Sequence, residues 1–272
     1  MTDNFPHRVV DCAERVLTLQ RLSSQLQKLE RSSHPVRESC GTVSSGLEAV
    51  DRLLPDAGFR AGTLVEWVEE KGSADQLALL AARSALEDRA AFGEDRVLIV
   101  IDDEESLYPP AAAALGIDLK RLFLVRPGKR IRRNAETKRP SAASVEALWA
   151  LEQSLASRGV AITFCRLERL SARVFRRLQL SAERGGGLGF LIRPPTARGE
   201  PSWSDVRFGI EAMNEGDSSS ARRWRVEVLR CRRGAAGERF ALLEYDDATN
   251  AVRPIAPTSP AVPVIVSRRA RA

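Results

Sequence analysis

The chain has 272 residues, of which 43% are hydrophobic and 29% charged, and its formal net charge at pH 7 is +6. These values are typical of globular proteins and exclude a disordered or collagen-like chain. The longest apolar runs, such as Val97–Ile101, are too short to cross a bilayer, and the N-terminal residues lack the apolar region of a secretion signal. We therefore expect a soluble, cytoplasmic protein with no membrane partner.

Residue types that bind metals or catalyse hydrolysis are scarce in this sequence. Its four cysteines show no CxxC spacing, which argues against a zinc site and against a disulfide framework. The two histidines, His7 and His34, precede the predicted core, so a His-based triad or general base is not expected. We expect neither a metal nor a cofactor.

The first 43 residues are predicted to form an amphipathic helix followed by a polar linker. Apolar residues of the segment 8–30 recur at steps of three and four, as on one face of a helix. The apolar face that we single out as a partner-binding helix comprises Val16, Leu19, Leu22, Leu26 and Leu29. Such a helix either lies on its own domain or docks on another protein or protomer, and the sequence leaves both interpretations open.

Residues 44–255 alternate between predicted strands and helices, which indicates an α/β domain with a mostly parallel sheet flanked by helices. The apolar runs that predict strands are Thr63–Val68, Arg96–Asp102, Leu122–Arg126, Val160–Cys165 and Leu188–Arg193. The segments between them that predict helices are Gln76–Ala91, 109–116, 144–159 and 171–187. In the last helix we expect Ser171 as N-cap and Gly185 as C-cap.

The sequence changes character after Arg193. Polarity alternates along 206–213, 222–231 and 240–247, which predicts antiparallel strands at a sheet edge. The Pro-rich, basic segment 256–272 is predicted to be a flexible tail.

A parallel α/β sheet binds ligands beyond the carboxyl ends of its strands. The first such place is the turn after the Thr63–Val68 strand. A nucleotide-binding turn would be glycine-rich, with a Lys for the β- and γ-phosphates and a Ser or Thr for magnesium.

Around this turn the chain resembles the RecA recombinase family. The resemblance lies in SSGLEAVDRLL, GTLVEWV and VLIVIDDEES, and it covers residues 44–127 well and the rest to about 255 more loosely. The family loop is Gly-x-x-x-x-Gly-Lys-Thr. The residues in register with it, a degenerate P-loop, are Glu69, Glu70, Lys71, Gly72, Ser73, Ala74, Asp75 and Gln76.

This degenerate loop departs from the RecA pattern at every position that contacts nucleotide. Asp75 replaces the Lys, Gln76 replaces the Thr, and Glu69 and Glu70 stand where an anion should sit. Like charges opposed in a desolvated site cost several kcal/mol. We therefore expect that nucleotide does not bind in the usual manner.

Two further positions agree with this expectation. Cys165 or Arg166 stands where the family has the Asp that steadies magnesium, and Arg193 falls at the sensor Gln. Glu104 does match the family's water-activating Glu, but without a phosphate clamp we interpret it as a vestige or a surface charge. The prediction is a RecA-like fold without ATPase chemistry.

Two later segments resemble a narrower family, the ImuA proteins, which are RecA-like accessory proteins of the bacterial translesion mutagenesis cassette and are often labelled as related to SulA. The segments are Arg176–Pro194 and Arg222–Arg253. The resemblance implies a non-catalytic adaptor in DNA-damage-induced mutagenesis. It implies RecA and a catalytically inactive Y-family polymerase homologue, similar to ImuB, as partners.

Two basic regions are candidates for contacts with phosphate or with a partner. In the segment Arg126–Pro140 the basic residues are Arg126, Lys129, Arg130, Arg132, Arg133, Lys138 and Arg139. This segment is either a solvated loop or a contact to DNA phosphates or a partner protein. In the strand predicted at 222–231, Arg225 lies on the charged face, and Arg230 and Arg232 stand near two Lys positions that reach a neighbour's nucleotide in the RecA family. The alternatives there are an exposed charged strand face and a contact to a RecA subunit.

Two other functions compete with the adaptor. One is a RecA/RadA-type, DNA-dependent ATPase with a diverged P-loop, which magnesium-dependent ATP hydrolysis would reveal. The other is a cell-division inhibitor of the SulA kind, which would bind a tubulin-like division protein rather than RecA.

Overall fold

The computed structural model describes residues 41–71, 74–127, 145–213, 222–234 and 239–255, and all of them belong to a compact unit that begins at Gly41. Several sequence predictions lie outside the described residues. They concern the partner helix (Val16, Leu19, Leu22, Leu26, Leu29), the loop residues Gly72 and Ser73, the basic residues Lys129, Arg130, Arg132, Arg133, Lys138 and Arg139, and the tail 256–272.

The described residues form one large sheet of nine strands and a two-stranded antiparallel ribbon. The ribbon pairs β1 (Thr42–Val43) with β2 (Phe59–Arg60). The strands of the large sheet are β3 (Thr63–Lys71), β4 (Val97–Ile101), β5 (Leu122–Val125), β6 (Val160–Arg166), β7 (Leu188–Arg193), β8 (Val206–Ala212), β9 (Arg222–Cys231), β10 (Phe240–Asp246) and β11 (Ala251–Ile255). Their order is β11-β10-β9-β8-β3-β7-β6-β4-β5. The six strands from β8 to β5 are parallel and the other three antiparallel, which confirms the predicted fold class.

Six α-helices accompany these strands in the described part of the chain: α1 (Glu48–Asp51), α2 (Asp75–Glu87), α3 (Arg89–Phe92), α4 (Pro109–Ala114), α5 (Val145–Ala156) and α6 (Ala172–Gly185). The single helix predicted over Gln76–Ala91 is two helices. Asp88 leaves helical geometry between them, and its side chain caps α3 by accepting the Ala91 N–H at 3.0 Å. No described helix combines the length and the apolar character needed to span a bilayer.

Helices α5 and α6 pack together on one face of the parallel strands. Their buried side chains, including Leu151 and Phe175, meet Leu64 of β3 and Leu191 of β7. The opposite face of β3 carries Trp67, because side chains alternate along a strand. Trp67 belongs to an aromatic cluster, in which it packs edge-to-face against Phe59 and Phe190 and tilted against Phe208. The centre of the parallel sheet is thus covered on both faces.

Strand β8 differs from the prediction in one respect. The alternating sequence predicted an antiparallel strand, and β8 is antiparallel to β9 but parallel to β3. The connection after β7 returns the chain to the amino end of the sheet before β8 begins, and the Asp205 N–H donates to the Leu64 carbonyl at 2.9 Å there. This return makes β8 the strand at which the sheet changes direction.

The two ends of α6 give one confirmed prediction and one wrong one. Ser171 is the N-cap, and its hydroxyl accepts the Val174 N–H at 3.3 Å. The C-cap is Gly186, with φ of +74°, and not Gly185. Gly185 lies inside the helix, where a Cβ would stand 2.1 Å from the Leu155 carbonyl oxygen of α5. Its role is therefore close helix packing rather than helix termination.

The Gly185→Ala variant should lose about 1–3 kcal/mol of unfolding free energy, because the added methyl group must push α5 and α6 apart. This loss runs against the greater intrinsic helix propensity of alanine. Urea unfolding followed by circular dichroism measures it. Gly199→Ala is the matched control, since a Cβ at Gly199 meets no atom within 4 Å. If the two variants were equally stable, close packing at Gly185 would be disproved.

Candidate functional site

The candidate site lies at the carboxyl edge of the parallel strands, between β3 and α2. Strand β3 continues three residues beyond its predicted end, because Glu69 and Lys71 still pair with β8. Helix α2 begins at Asp75. Three of the eight residues of the degenerate P-loop, Glu69, Glu70 and Lys71, therefore belong to β3, and Asp75 and Gln76 belong to α2.

Glu69 points back into this turn. Its Oε1 atom accepts the N–H of Ala74, the residue before α2, at 3.0 Å. Backbone N–H groups at the start of a helix are the donors that hold phosphate in nucleotide-binding loops. In this chain a carboxylate of the protein itself takes such a donor, and only 13% of the Glu69 side chain is exposed.

Arg166, the last residue of β6, joins the two acidic residues of the turn. It donates to both carboxylate oxygens of Glu69, at 2.6 and 3.1 Å, and also to Asp75. Burial lowers the pKa of Arg166, but its hydrogen bonds and its attraction to Glu69 and Asp75 outweigh burial and raise that pKa above its usual value. The guanidinium is permanently charged and links Glu69 of β3 to Asp75, the first residue of α2.

This ion pair has the reverse polarity of the arrangement expected for a nucleotide site. The resemblance to the RecA family implies a Lys where Asp75 stands and an acid where Cys165 or Arg166 stands. In this chain Asp75 is the acid, and it contacts the basic side chain of Arg166. We name Glu69, Asp75 and Arg166 the inverted triad.

Gln76 and Glu70, the neighbours of the inverted triad, are held by two arginines that sequence reasoning did not connect with the loop. Arg222 of β9 donates to Gln76 Oε1 at 2.6 Å. Arg198 donates to Glu70 Oε1 at 2.5 Å. Both of these polar side chains of the degenerate loop thus have a partner from elsewhere in the fold.

A second charged cluster, which the sequence analysis did not predict, is centred on β3 three residues before Glu69. Glu66 of β3 is fully buried, and Arg193 donates to its Oε1 at 2.8 Å while Arg207 donates to its Oε2 at 2.7 Å. Both arginines are almost fully buried as well. The signal in the sequence was an acidic residue inside an apolar strand, because such residues are buried only when paired.

Two serine hydroxyls also donate hydrogen bonds to the Glu66 carboxylate. Ser202 and Ser204 donate to Oε2 at 2.5 and 3.0 Å. Arg193, the residue in register with the sensor Gln of the RecA family, also donates to Glu200 at 2.6 Å. The loop that follows β7 is therefore fastened to the centre of β3.

The loop after β4 contains Glu104, the candidate vestigial base. Asp102 is buried and organises this loop by accepting the Ser106 and Leu107 N–H groups at 2.8 and 3.2 Å. Arg126, a predicted contact to phosphate or a partner, donates to Asp102 at 3.1 Å and keeps 41% of its side chain exposed. Glu104 is exposed to solvent.

Cys165 sits beside this acidic loop at the end of β6. Burial, together with the nearby carboxylates of Asp103, Glu104 and Asp102, raises the pKa of its thiol well above the usual value. Cys165 therefore stays protonated near neutral pH and is a packing residue rather than a nucleophile.

Comparison with known proteins identifies the family of this chain. No family model matches the chain. Two curated relatives, both named Protein ImuA and coming from two strains of Caulobacter vibrioides, are each 30% identical to it over 213 residues. The alignment covers 72% of this chain and 80% of each relative. This chain belongs to the ImuA family. The membership confirms the resemblance and associates the chain with the translesion mutagenesis cassette.

The predicted basic strand residues of this ImuA family member lie at opposite edges of the parallel strands. Arg225 faces Glu211 of β8, the residue that pairs with Lys71 of the degenerate P-loop. Arg225 pairs with Glu227 at 3.0 Å and covers the Phe240 ring at 4.8 Å. Arg230 donates to the Ser202 carbonyl and pairs across the sheet with Arg207, near the start of β8. Arg232 follows β9 at the same, amino edge of the parallel strands and is exposed. The structure does not bring Arg230 and Arg232 to the loop of their own chain.

The described part of this ImuA family member contains no group of three His, Cys, Asp or Glu side chains placed to hold a metal ion. At the inverted triad both carboxylates already bind Arg166. The arrangement can fix the β3–α2 turn and present a rigid surface. Its own cation, Arg166, is engaged by two carboxylates and would have to leave them to receive a phosphate.

Proposed function

We propose that this ImuA family member is a non-catalytic adaptor in DNA-damage-induced mutagenesis. The observation that carries the proposal is the inverted triad. Glu69 occupies a backbone donor that a phosphate needs, and Asp75 stands where an ammonium should meet the β- and γ-phosphates. A triphosphate entering this turn would face two carboxylates and would have to displace Arg166 from them, which costs several kcal/mol.

The partners we propose are RecA and a catalytically inactive, ImuB-like Y-family polymerase homologue. The support is membership of the ImuA family together with a parallel α/β sheet whose nucleotide-binding residues are replaced. A protein that keeps such a scaffold but lacks its chemistry can act through its surfaces. Contact with DNA phosphates through the arginine-rich segment Arg126–Pro140 belongs to the same proposal.

The experiment is a binding assay with the full chain immobilised. Purified RecA is applied with and without single-stranded DNA, and an ImuB-like polymerase homologue is applied separately. We expect saturable binding of at least one of them, with no requirement for ATP. Absence of binding to both proteins would contradict the adaptor function.

The same preparation separates the two competing functions. Magnesium-dependent ATP hydrolysis that disappears in an Asp75→Ala variant would identify a diverged ATPase. Binding to a tubulin-like division protein in place of RecA would identify a division inhibitor. Neither alternative is favoured by a contact in the described residues.

A further inference from the structure

Helix α6 turns a basic face to solvent. Because an α-helix has about 3.6 residues per turn, five exposed residues of α6 lie within a single arc of about 100°. They are four arginines around one leucine, namely Arg173, Arg176, Arg177, Leu180 and Arg184. Leu180, near the middle of this set, is 43% exposed. We name the five residues the arginine face.

The positive charge of the arginine face is largely uncompensated. Arg177 pairs with Glu152 of α5 at 2.9 Å. The other three arginines form no ion pair within the residues that the structure describes. The one acidic residue of α6, Glu183, lies on the flank of the helix, where it accepts a hydrogen bond from the buried Gln179 at 3.2 Å. The face therefore attracts an acidic partner.

Trp203, from the loop that follows β7, extends the arginine face. The Arg176 guanidinium lies 5.3 Å from the centre of the Trp203 ring, and Trp203 is 42% exposed. The two serines that flank Trp203 both donate to the buried Glu66 carboxylate, at 2.5 and 3.0 Å. This exposed aromatic side chain thus stands on a backbone that is fastened on both sides of it, and such preorganisation lowers the entropic cost of binding.

The residue types of this surface indicate a protein partner. Protein–protein interfaces are enriched in Trp and Arg and depleted in Lys, Glu and Asp. A nucleic-acid strand would use a row of aromatic side chains for base stacking, and this surface offers only Trp203, which Arg176 already covers. A second copy of the chain would oppose its own arginines to these, and such like-charge contacts cost several kcal/mol.

The position of α6 indicates the form of that partner. The helix covers the central strands β3 and β7, and both edges of each strand are already paired. An incoming segment therefore finds no free strand edge here and must pack side chain against side chain, as helices do. From Arg173 to Arg184 the face is about 16 Å long, which matches about three turns of a partner helix.

We infer that the arginine face and Trp203 dock an acidic, amphipathic helix of a partner protein. The inference rests on the proposed adaptor function and names the chemistry of the partner that this surface recognises. Carboxylates of the partner helix would pair with Arg173 and Arg184 at the two ends of the face. An apolar side chain between them would pack on Leu180 and Trp203.

The first test reverses the charge at both ends of the face in the full chain, with purified RecA and an ImuB-like polymerase homologue as separate probes. The double variant Arg173→Glu/Arg184→Glu should weaken binding of the docking partner at least about tenfold. Arg52→Glu/Arg89→Glu is the matched control, because it changes the net charge by the same amount. Both of its arginines are mostly exposed, one after α1 and one at the start of α3. This control should bind within about twofold of wild type.

The second test removes the aromatic side chain. Trp203→Ala should also weaken binding at least about tenfold, since aromatic anchors carry much of the binding energy of an interface. Phe240→Ala is its matched control. Phe240 is 40% exposed and Arg225 covers its ring at 4.8 Å, so the same arrangement occurs there on strand β10. This control should bind within about twofold of wild type.

The outcomes distinguish the docking surface from the adaptor function itself. If wild type binds a partner and both variants of the surface bind it as tightly as their controls, the docking proposal is overturned and the adaptor function stands. If wild type binds neither probe, both proposals fail.

Hydrogen exchange in the complex identifies the occupant. The segment of the partner that gains protection should be helical and carry more acidic than basic residues; a protected segment without this acidic excess would overturn the proposal. Displacement of the partner by a single-stranded oligonucleotide whose own binding is lost in Arg173→Glu/Arg184→Glu would assign the face to nucleic acid. Self-association that the same double variant abolishes would assign it to a second copy, and either result would contradict the inference.

Discussion

Replacement of Glu66 by alanine should lower the free energy of unfolding by about 3–5 kcal/mol, the cost of removing one partner from a buried ion pair. Glu66 accepts hydrogen bonds from Arg193 and Arg207, and both guanidinium groups are buried. Without the carboxylate, Arg207 keeps two backbone carbonyl partners in the described structure, at 2.9 and 3.2 Å, and loses its counter-charge. Equilibrium urea unfolding of the purified chain measures the loss.

Glu70→Ala is the control for this prediction, since Glu70 also belongs to β3 and also pairs with an arginine. Its partner Arg198 is 49% exposed, so the pair is screened by solvent. We expect a loss of less than about 1 kcal/mol for this control. If Glu66→Ala cost no more than Glu70→Ala, the buried cluster would not be a structural centre of the fold.

The second large effect should follow from reversing one charge of the inverted triad. Arg166→Asp brings three carboxylates together and removes the hydrogen bonds to Glu69 and Asp75. We expect a loss of about 3 kcal/mol of unfolding free energy, at the low end for a buried pair because Asp75 keeps 37% of its side chain exposed. Thermal and urea unfolding measure this loss.

A compensating change should recover part of the stability. Adding Asp75→Arg to Arg166→Asp restores opposite charges across the turn, with a coupling energy of at least about 1 kcal/mol in a double-mutant cycle. The same cycle on Arg177 and Glu152, a pair at 2.9 Å whose arginine is 55% exposed, is the control and should give a smaller coupling. Strictly additive effects of the two substitutions at the inverted triad would contradict a direct ion pair.

Much of the fold could be predicted from the sequence, because the parallel strands are apolar runs between amphipathic helices. The errors fall where local patterns compete with tertiary contacts. Gly185 has the residue type of a C-cap but serves the contact with Leu155. Strand β3 extends to Lys71 because β8 pairs with it, and no local signal in the sequence reports that pairing.

From the sequence, the candidate site could be predicted only from the nucleotide-binding residue types that are missing there. The sequence predicted that Asp75 replaces a Lys and that Arg166 or Cys165 replaces an acid. It did not predict that Asp75 and Arg166 contact each other, because they are 91 residues apart. Arg166 ends β6, Asp75 begins the helix that follows β3, and β7 lies between these two strands. The Glu66 cluster was missed for a similar reason, since its arginines come from β7 and β8.

Isothermal titration of the full chain with ATP and magnesium tests most directly whether the inverted triad has replaced the nucleotide site. At about 1 mM ATP, even a weak site with a binding free energy of about −4 kcal/mol would be half occupied. We predict no saturable heat of binding up to this concentration. A P-loop ATPase titrated under the same conditions verifies the assay. Saturable binding of one ATP that Asp75→Ala weakens would show that the turn still holds a nucleotide, and it would contradict a role for the inverted triad as its replacement.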